Sequence, residues 1–389
     1  MSQNFDAIIL GGGAAGLFCA AVAAQRGRRV LLLEKGAAVG AKILISGGGR
    51  CNFTNLGAGP ANFLSANPHF CKSALSRYSP GDFVELVERH GIAWHEKTLG
   101  QLFCDGSARQ IVELLLAECA AGPGEVVIRC GQEIEQVTHA DGIFTVGSAS
   151  APALVIATGG PSIPKMGATD FAYRLARQFG LKVVEPRPAL VPLTLGGDEV
   201  LFRELSGVAA PVEARAGKAA FREAALFTHR GLSGPAILQV SSFWKPGEAV
   251  AIDFLPSRSA DWLIEAKRAN PRTTLRAQLR DALPARLADV LAEQLGLSGD
   301  LGNVPDKALR LAGERLADWR FHPNGSEGYA KAEVTAGGIS TAELSSQTME
   351  ARKLPGLFVI GEAVDVTGWL GGYNFHWAWA SGFAAGQAL

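Results

Sequence analysis

The chain predicts an α/β fold of the doubly wound kind, built on a nucleotide-binding strand–turn–helix unit and interrupted by a large insertion. Three observations predict it. Phe5-Asp6-Ala7-Ile8-Ile9-Leu10 is a short apolar strand that runs into Gly11-Gly12-Gly13-Ala14-Ala15-Gly16 and then an alanine-rich helix. A second apolar strand, Arg29 to Leu33, ends at Glu34, roughly 20 residues beyond the turn, as a dinucleotide fingerprint requires. The same texture returns at the end, as an apolar strand Leu357 to Ile360, a glycine-rich loop and a helix from about Asn374.

Each part of the opening unit has a physical task. Gly11 permits the tight turn, Gly13 lets the backbone approach a pyrophosphate, and Gly16 lets the helix pack close to the strand. The free N–H groups at the helix start, from Ala14 onward, face phosphate charge. Glu34 can accept hydrogen bonds from ribose hydroxyls.

Between these ends the elements follow from cap and stop chemistry. Ser79-Pro80 starts a helix that Gly91 ends, and Ser107 with Gln110 forms a capping box before Ile111 to Ala121. Strand-like runs cover Glu125 to Cys130, Glu133 to Thr138 and Ile143 to Val146. Ala153 to Ala157 is continuously apolar, as buried parallel strands are, and ends in Thr158-Gly159-Gly160. Asp170 to Phe179 reads as a helix.

The texture changes at Pro186-Arg187-Pro188. Residues 189–259 are rich in short strands and Gly/Pro turns, and residues 260–320 are helical. Residues 1–188 and 335–389 therefore form one split cofactor domain, and 189–334 an inserted substrate domain.

Composition narrows the function. With 37 basic and 37 acidic residues in 389, there is no basic field, so no nucleic-acid partner is expected. No apolar run reaches the roughly 18 residues of a membrane helix, and the first helix lacks the charged flank of a signal peptide. Six cysteines without a C-x-x-C pair suit free thiols in a cytoplasmic protein, and no metal site is expected.

The dinucleotide is expected to be FAD. A second fingerprint, as glutathione-reductase-like enzymes carry, is absent: Gly159-Gly160-Pro161 lacks a third glycine and a strand-ending acid. Instead Ser46-Gly47-Gly48-Gly49-Arg50-Cys51-Asn52 and Gly371-Gly372-Tyr373-Asn374 offer many points of backbone approach to one extended ligand.

The runs GGGAAGL, KILISGGGRCNFTN, ATGGPSIPKMGAT, FTHRGLSGPAILQ, VTAGGIS and GLFVIGEAVDVTGWLGGYN resemble, in order and along the whole chain, the BaiN/YhiN-like family of NAD(P)/FAD-dependent oxidoreductases, also labelled aminoacetone oxidase family FAD-binding enzymes. The resemblance implies a Rossmann-like FAD-binding domain of the glutathione-reductase/fumarate-reductase-like kind, interrupted by a β-barrel-like and a small helical domain. It also implies reduction of conjugated enones. One departure stands out: Asp170-Phe171-Ala172 follows Gly167-Ala168-Thr169 where relatives carry Gly-Asp-Gly, so a bile-acid substrate is not carried over.

FAD contacts are then expected from Gly11, Gly13, Ala14, Ala15, Gly16, Glu34 and Lys35, and from Lys42, Ser46, Gly47, Gly48, Gly49, Arg50, Cys51, Asn52 and Thr54. Ile134, Thr158, Gly159, Gly160, Gly361, Glu362, Asp365, Gly371, Gly372, Tyr373 and Asn374 complete the set. Arg50 and the Ser46–Gly49 amides can balance pyrophosphate charge, and Cys51 packs beside the cofactor. The helix start at Gly371–Asn374 can stabilise charge on the reduced flavin. Tyr373, His229 and His376 are the candidate proton donors.

The chemistry expected is hydride from NAD(P)H onto the flavin and onward to an electron-poor, enone-like carbon of a small molecule. The alternatives are an oxidase of an amine or alcohol, returning electrons to oxygen, and a non-catalytic flavoprotein or redox sensor.

Overall fold

The computed structural model describes residues 3–134 and 136–389. It divides into two compact units, Met1–Arg187 with Val334–Leu389, and Pro188–Glu333.

The first unit is built on a five-stranded parallel sheet. Its strands run in the order Leu357–Val359, Ala153–Ile156, Ala7–Leu10, Arg29–Leu33 and Glu125–Arg129. The central strands are apolar without alternation because both faces are covered. Leu357–Val359 lies in register beside Ala153–Ile156, although the whole insertion separates them in sequence.

Helix Ala14–Gln25 follows the first strand and is buried from Ala15 to Ala24. It packs against helix Arg109–Ala120 and the last helix, Tyr373–Gly386. Small residues allow that approach: a Cβ on Gly382 would stand 2.8 Å from the Ala15 carbonyl.

The local signals are mostly realised. Ser79 caps helix Pro80–Arg89 in a reciprocal capping box with Asp82. Gln110 accepts from the Ser107 N–H at 3.1 Å. The strand expected over 133–138 is instead Val137–Ala140, and Glu135 lies outside the described residues. The shift follows from pairing, since Val137–Ala140 forms a hairpin with Ile143–Val146.

In the second unit seven strands form one antiparallel sheet, with Trp319–Phe321 at one end of the order and Gly325–Ser326 at the other. Flat, the two ends would lie about 29 Å apart, six spacings of about 4.8 Å. The connection from Phe321 to Gly325 reaches at most about 14 Å. The sheet must therefore curl, and this closure makes it barrel-like. Its aromatic filling includes Phe202 against Phe321 at 4.9 Å and Phe254 against Trp319 at 6.1 Å. Helices Trp262–Ala269, Leu275–Arg280, Ala285–Leu295 and Asp306–Ala317 form the helical part. No helix of the described residues is long and apolar enough to cross a membrane.

Candidate cofactor-binding site

The first unit carries an open cradle at the end of its first strand. Gly11 has φ +105°, and a Cβ there would stand 2.6 Å from the Ala157 carbonyl, so only glycine fits. Gly16 is closer still: its Cβ would lie 2.0 Å from the Gly11 carbonyl. Gly13 differs, because its Cβ would meet no atom within 4 Å. It is the N-cap of helix Ala14–Gln25, and no side chain caps that helix. The helix dipole and first-turn N–H groups therefore face space that an anion can fill. Beside this space the Thr158 hydroxyl is buried with no hydrogen-bond partner among the described residues. Both observations fit a bound dinucleotide.

Glu34 closes the cradle. Its carboxylate accepts from the Gly12 N–H at 2.7 Å and the Gly36 N–H at 2.6 Å, which fixes it at the end of the second strand.

A second group forms across the chain. The Lys42 ammonium donates to Ser162 Oγ at 2.7 Å and to Glu362 Oε2 at 2.9 Å. Ser162 and the Thr335 N–H both donate to Glu362 Oε1, at 2.8 and 3.0 Å. Burial by itself would raise the Glu362 carboxyl, but Lys42 and these hydrogen bonds overcome it and hold the acid below its ordinary range. Gly159 lies against the same carboxylate: a Cβ there would be 3.5 Å from Glu362 Oε2.

The glycine-rich segments divide. Cβ atoms on Gly48 and Gly49 would meet nothing within 4 Å, so that turn presents open backbone. The Arg50 side chain is exposed beside it. Gly371 and Gly372 are crowded, and a Cβ on Gly372 would stand 2.4 Å from the Thr54 carbonyl. Asn55 Nδ2 holds the Gly371 carbonyl at 2.9 Å.

Several residues expected to touch the cofactor have packing or bracing partners within the first unit. Lys35 is exposed and pairs with Glu133 at 3.0 Å. Thr54 is buried, with Oγ1 3.1 Å from His376 Nδ1. The Gly361 N–H donates to Ser381 Oγ and its carbonyl accepts from Trp377 Nε1, both at 3.0 Å. Asn374 braces the last turn through Gly368 N–H and the Gly368 and Trp369 carbonyls. Gly160 is wedged against the Thr335 and Tyr173 side chains, and Ile134 packs on the core. Cys51 is fully buried, and burial pushes its thiol up to about 12, so it holds no thiolate at neutral pH. Asp365 Oδ2 accepts from the Ala66 N–H at 2.9 Å.

The three proton-donor candidates fall in different surroundings. His376 is fully buried, and burial lowers its imidazole to about 4, so it is neutral and shut from solvent. Its Nε2 is buried with no hydrogen-bond partner among the described residues. Tyr373 begins that helix, nearly buried, with its ring against Phe63 and Trp369. His229 lies in the second unit on an exposed turn, where its carbonyl accepts from Arg203 Nε at 2.7 Å.

A family model described as the HI0933-like protein Rossmann domain matches residues 5–388. The chain belongs to the HI0933-like family. This is a family of FAD-dependent oxidoreductases, the one that the sequence resembled. Among the relatives of this HI0933-like protein is the ribosomal RNA dihydrouridine synthase of Escherichia coli (strain K12), 53% identical over 100% of this chain and 98% of that one. The protein of the same name from Haemophilus influenzae is 45% identical over 100% and 99%. The 3-dehydro-bile acid delta(4,6)-reductase of Clostridium scindens is 30% identical over 98% of both chains.

Sequence reasoning did not single out Gly12, Gly36, Ser162 or Thr335. Ser162 lies inside the run ATGGPSIPK, but nothing local told that its hydroxyl would bridge Lys42 and Glu362. Among the described residues no cluster of three or more His, Cys, Asp or Glu could hold a metal ion.

Proposed function

We propose that this HI0933-like protein is a flavin-dependent reductase that saturates the C5=C6 bond of a uridine in ribosomal RNA, with NAD(P)H as electron donor. The observation that carries the reading is full-length identity of 53% to a ribosomal RNA dihydrouridine synthase. The chemistry agrees with the expected enone-like acceptor. Uracil C5=C6 is conjugated to the C4 carbonyl, so C6 is an electron-poor carbon of the same class as the β-carbon of a steroid enone.

FAD, when bound, supplies the hydride chemistry, and the protein supplies binding and orientation. The helix start at Gly13–Gly16 would hold the pyrophosphate and Glu34 the adenosine ribose. Lys42, held by Ser162 and Glu362, would face the chain between phosphate and flavin. A ribosomal substrate would place the protein in the cytoplasm.

This reading reverses the expectation of no nucleic-acid partner. An even charge balance limits the counterion-release share of RNA affinity. It does not bear on a base that is flipped from its stack and read inside a pocket.

The test is anaerobic incubation of the FAD-loaded protein with NADPH and unmodified ribosomal RNA, followed by mass spectrometry of the nucleosides. Dihydrouridine is expected. The 30% identical bile-acid reductase supports a second reading, reduction of a small enone. Enone-dependent flavin reoxidation without dihydrouridine would establish that reading instead. Peroxide formation in air from an amine or alcohol would establish an oxidase.

A further inference from the structure

The first unit contains a cavity of about 340 Å³ beside Asp365, walled by Phe63, Leu64, Ala336 and Gly337. That volume lies within the range of small-molecule sites. Two contacts tie it to the cofactor region. Thr367, which lines it, donates from Oγ1 to the Thr335 carbonyl at 3.4 Å, and the Thr335 N–H donates to Glu362 at 3.0 Å. Phe63 meets the ring of Tyr373, the first residue of the last helix, at 6.3 Å.

Asp365 is 4% exposed. Its Oδ2 accepts from the Ala66 N–H at 2.9 Å, and the residue lines the cavity. Burial raises its affinity for a proton above that of an ordinary aspartate, partly offset by the Ala66 N–H and the charge of Arg187. The other charged side chain lining the cavity is Glu185.

We propose that Asp365 is the proton donor of the reductase and that its cavity receives the C5 edge of the flipped pyrimidine. This rests on the uridine reading. Hydride reaches C6 from the reduced flavin, and the C5=C6 electron pair passes into the C5–C4–O enolate. The Asp365 O–H bond then breaks as the C5–H bond forms, and water restores the proton to the carboxylate. The sum is uridine plus hydride plus proton giving dihydrouridine. The buried acid thus takes the role that sequence reading had offered to His376, Tyr373 and His229.

The test compares the FAD-loaded wild type with Asp365→Asn and with Ala66→Phe, which narrows the exposed mouth of the cavity. Stopped flow times the two half-reactions separately. In Asp365→Asn, flavin reduction by NADPH should be unchanged, and reoxidation by ribosomal RNA should slow about 10²–10⁴-fold. Ala66→Phe should raise KM for RNA with flavin reduction unchanged. In the wild type without RNA, infrared spectra should show a carboxylic C=O band that titrates above the usual aspartate range and is missing in Asp365→Asn. Should Asp365→Asn fail to fold, Ala66→Phe still decides. Wild-type reoxidation rates in both variants, or absence of the band, would overturn the proposal. Absence of dihydrouridine with the wild type would overturn the uridine reading itself.

Discussion

At the scale of single residues, two glycines three positions apart separate ligand binding from folding. Gly13 has φ −82° and open space where a Cβ would project, so Gly13→Val should cost the apoprotein only the weaker N-cap, about 1 kcal/mol. It should lose FAD, because the side chain would fill the cradle. Gly16→Ala drives a Cβ into the Gly11 carbonyl at 2.0 Å, and should cost about 1–3 kcal/mol or more. Urea unfolding of the apoproteins together with the FAD content of each preparation checks both. His376 gives a pH prediction. Its folded value is lowered to about 4 from 6.5, so between those values the unfolded chain binds the extra proton. Stability should therefore fall as pH drops from about 6.5 toward 4, by on the order of 3 kcal/mol. His376→Gln should lose that part of the acid sensitivity, read from urea midpoints at about pH 7.5 and 5.5, roughly one unit on either side of the ordinary histidine value.

At the scale of elements, the first helix and the last are set by different devices. Helix Ala14–Gln25 starts at an uncapped glycine and leaves its N–H groups for a ligand, whereas Pro80–Arg89 satisfies its own start through Ser79 and Asp82. Ser79→Ala should accordingly cost about 1 kcal/mol in thermal unfolding and leave FAD affinity unchanged. The last helix is preceded by Gly372 as its N-cap, φ +93°, where a Cβ would meet the Thr54 carbonyl. Gly372→Ala should push the Gly371–Asn374 turn away from the strand Asn52–Asn55 and weaken both stability and FAD retention, measured by unfolding and by flavin fluorescence on dilution. The capping boxes were legible in sequence because their partners are three residues apart. The displaced strand at Val137–Ala140 was not, since hairpin pairing with Ile143–Val146 sets its register.

At the scale of the whole molecule, the insertion leaves and re-enters the first unit through paired strands, Val183–Ala189 and Val334–Ile339. Replacing residues 188–333 by a short Gly/Ser linker should therefore leave a first unit that unfolds cooperatively and binds FAD but turns over no RNA. Flavin absorbance and circular dichroism check the first two, nucleoside analysis the third. Strand Leu357–Val359 belongs to this unit by direct pairing with Ala153–Ile156, so a protein truncated before it should not fold.

The sequence by itself determined the parallel sheet, the dinucleotide turn and the change of texture at the insertion. These are written in local spacing: glycines at fixed offsets, an acid at a strand end, apolar runs without alternation. Tertiary structure alone decided which of the glycines face open space and which are wedged. It also brought Lys42, Ser162 and Glu362 together across the chain, enclosed His376 and opened a cavity at Asp365. The physical reason is that accessibility, partnership and proton affinity depend on what distant segments place beside a side chain. Chain closure sets those neighbours, and no local period encodes them.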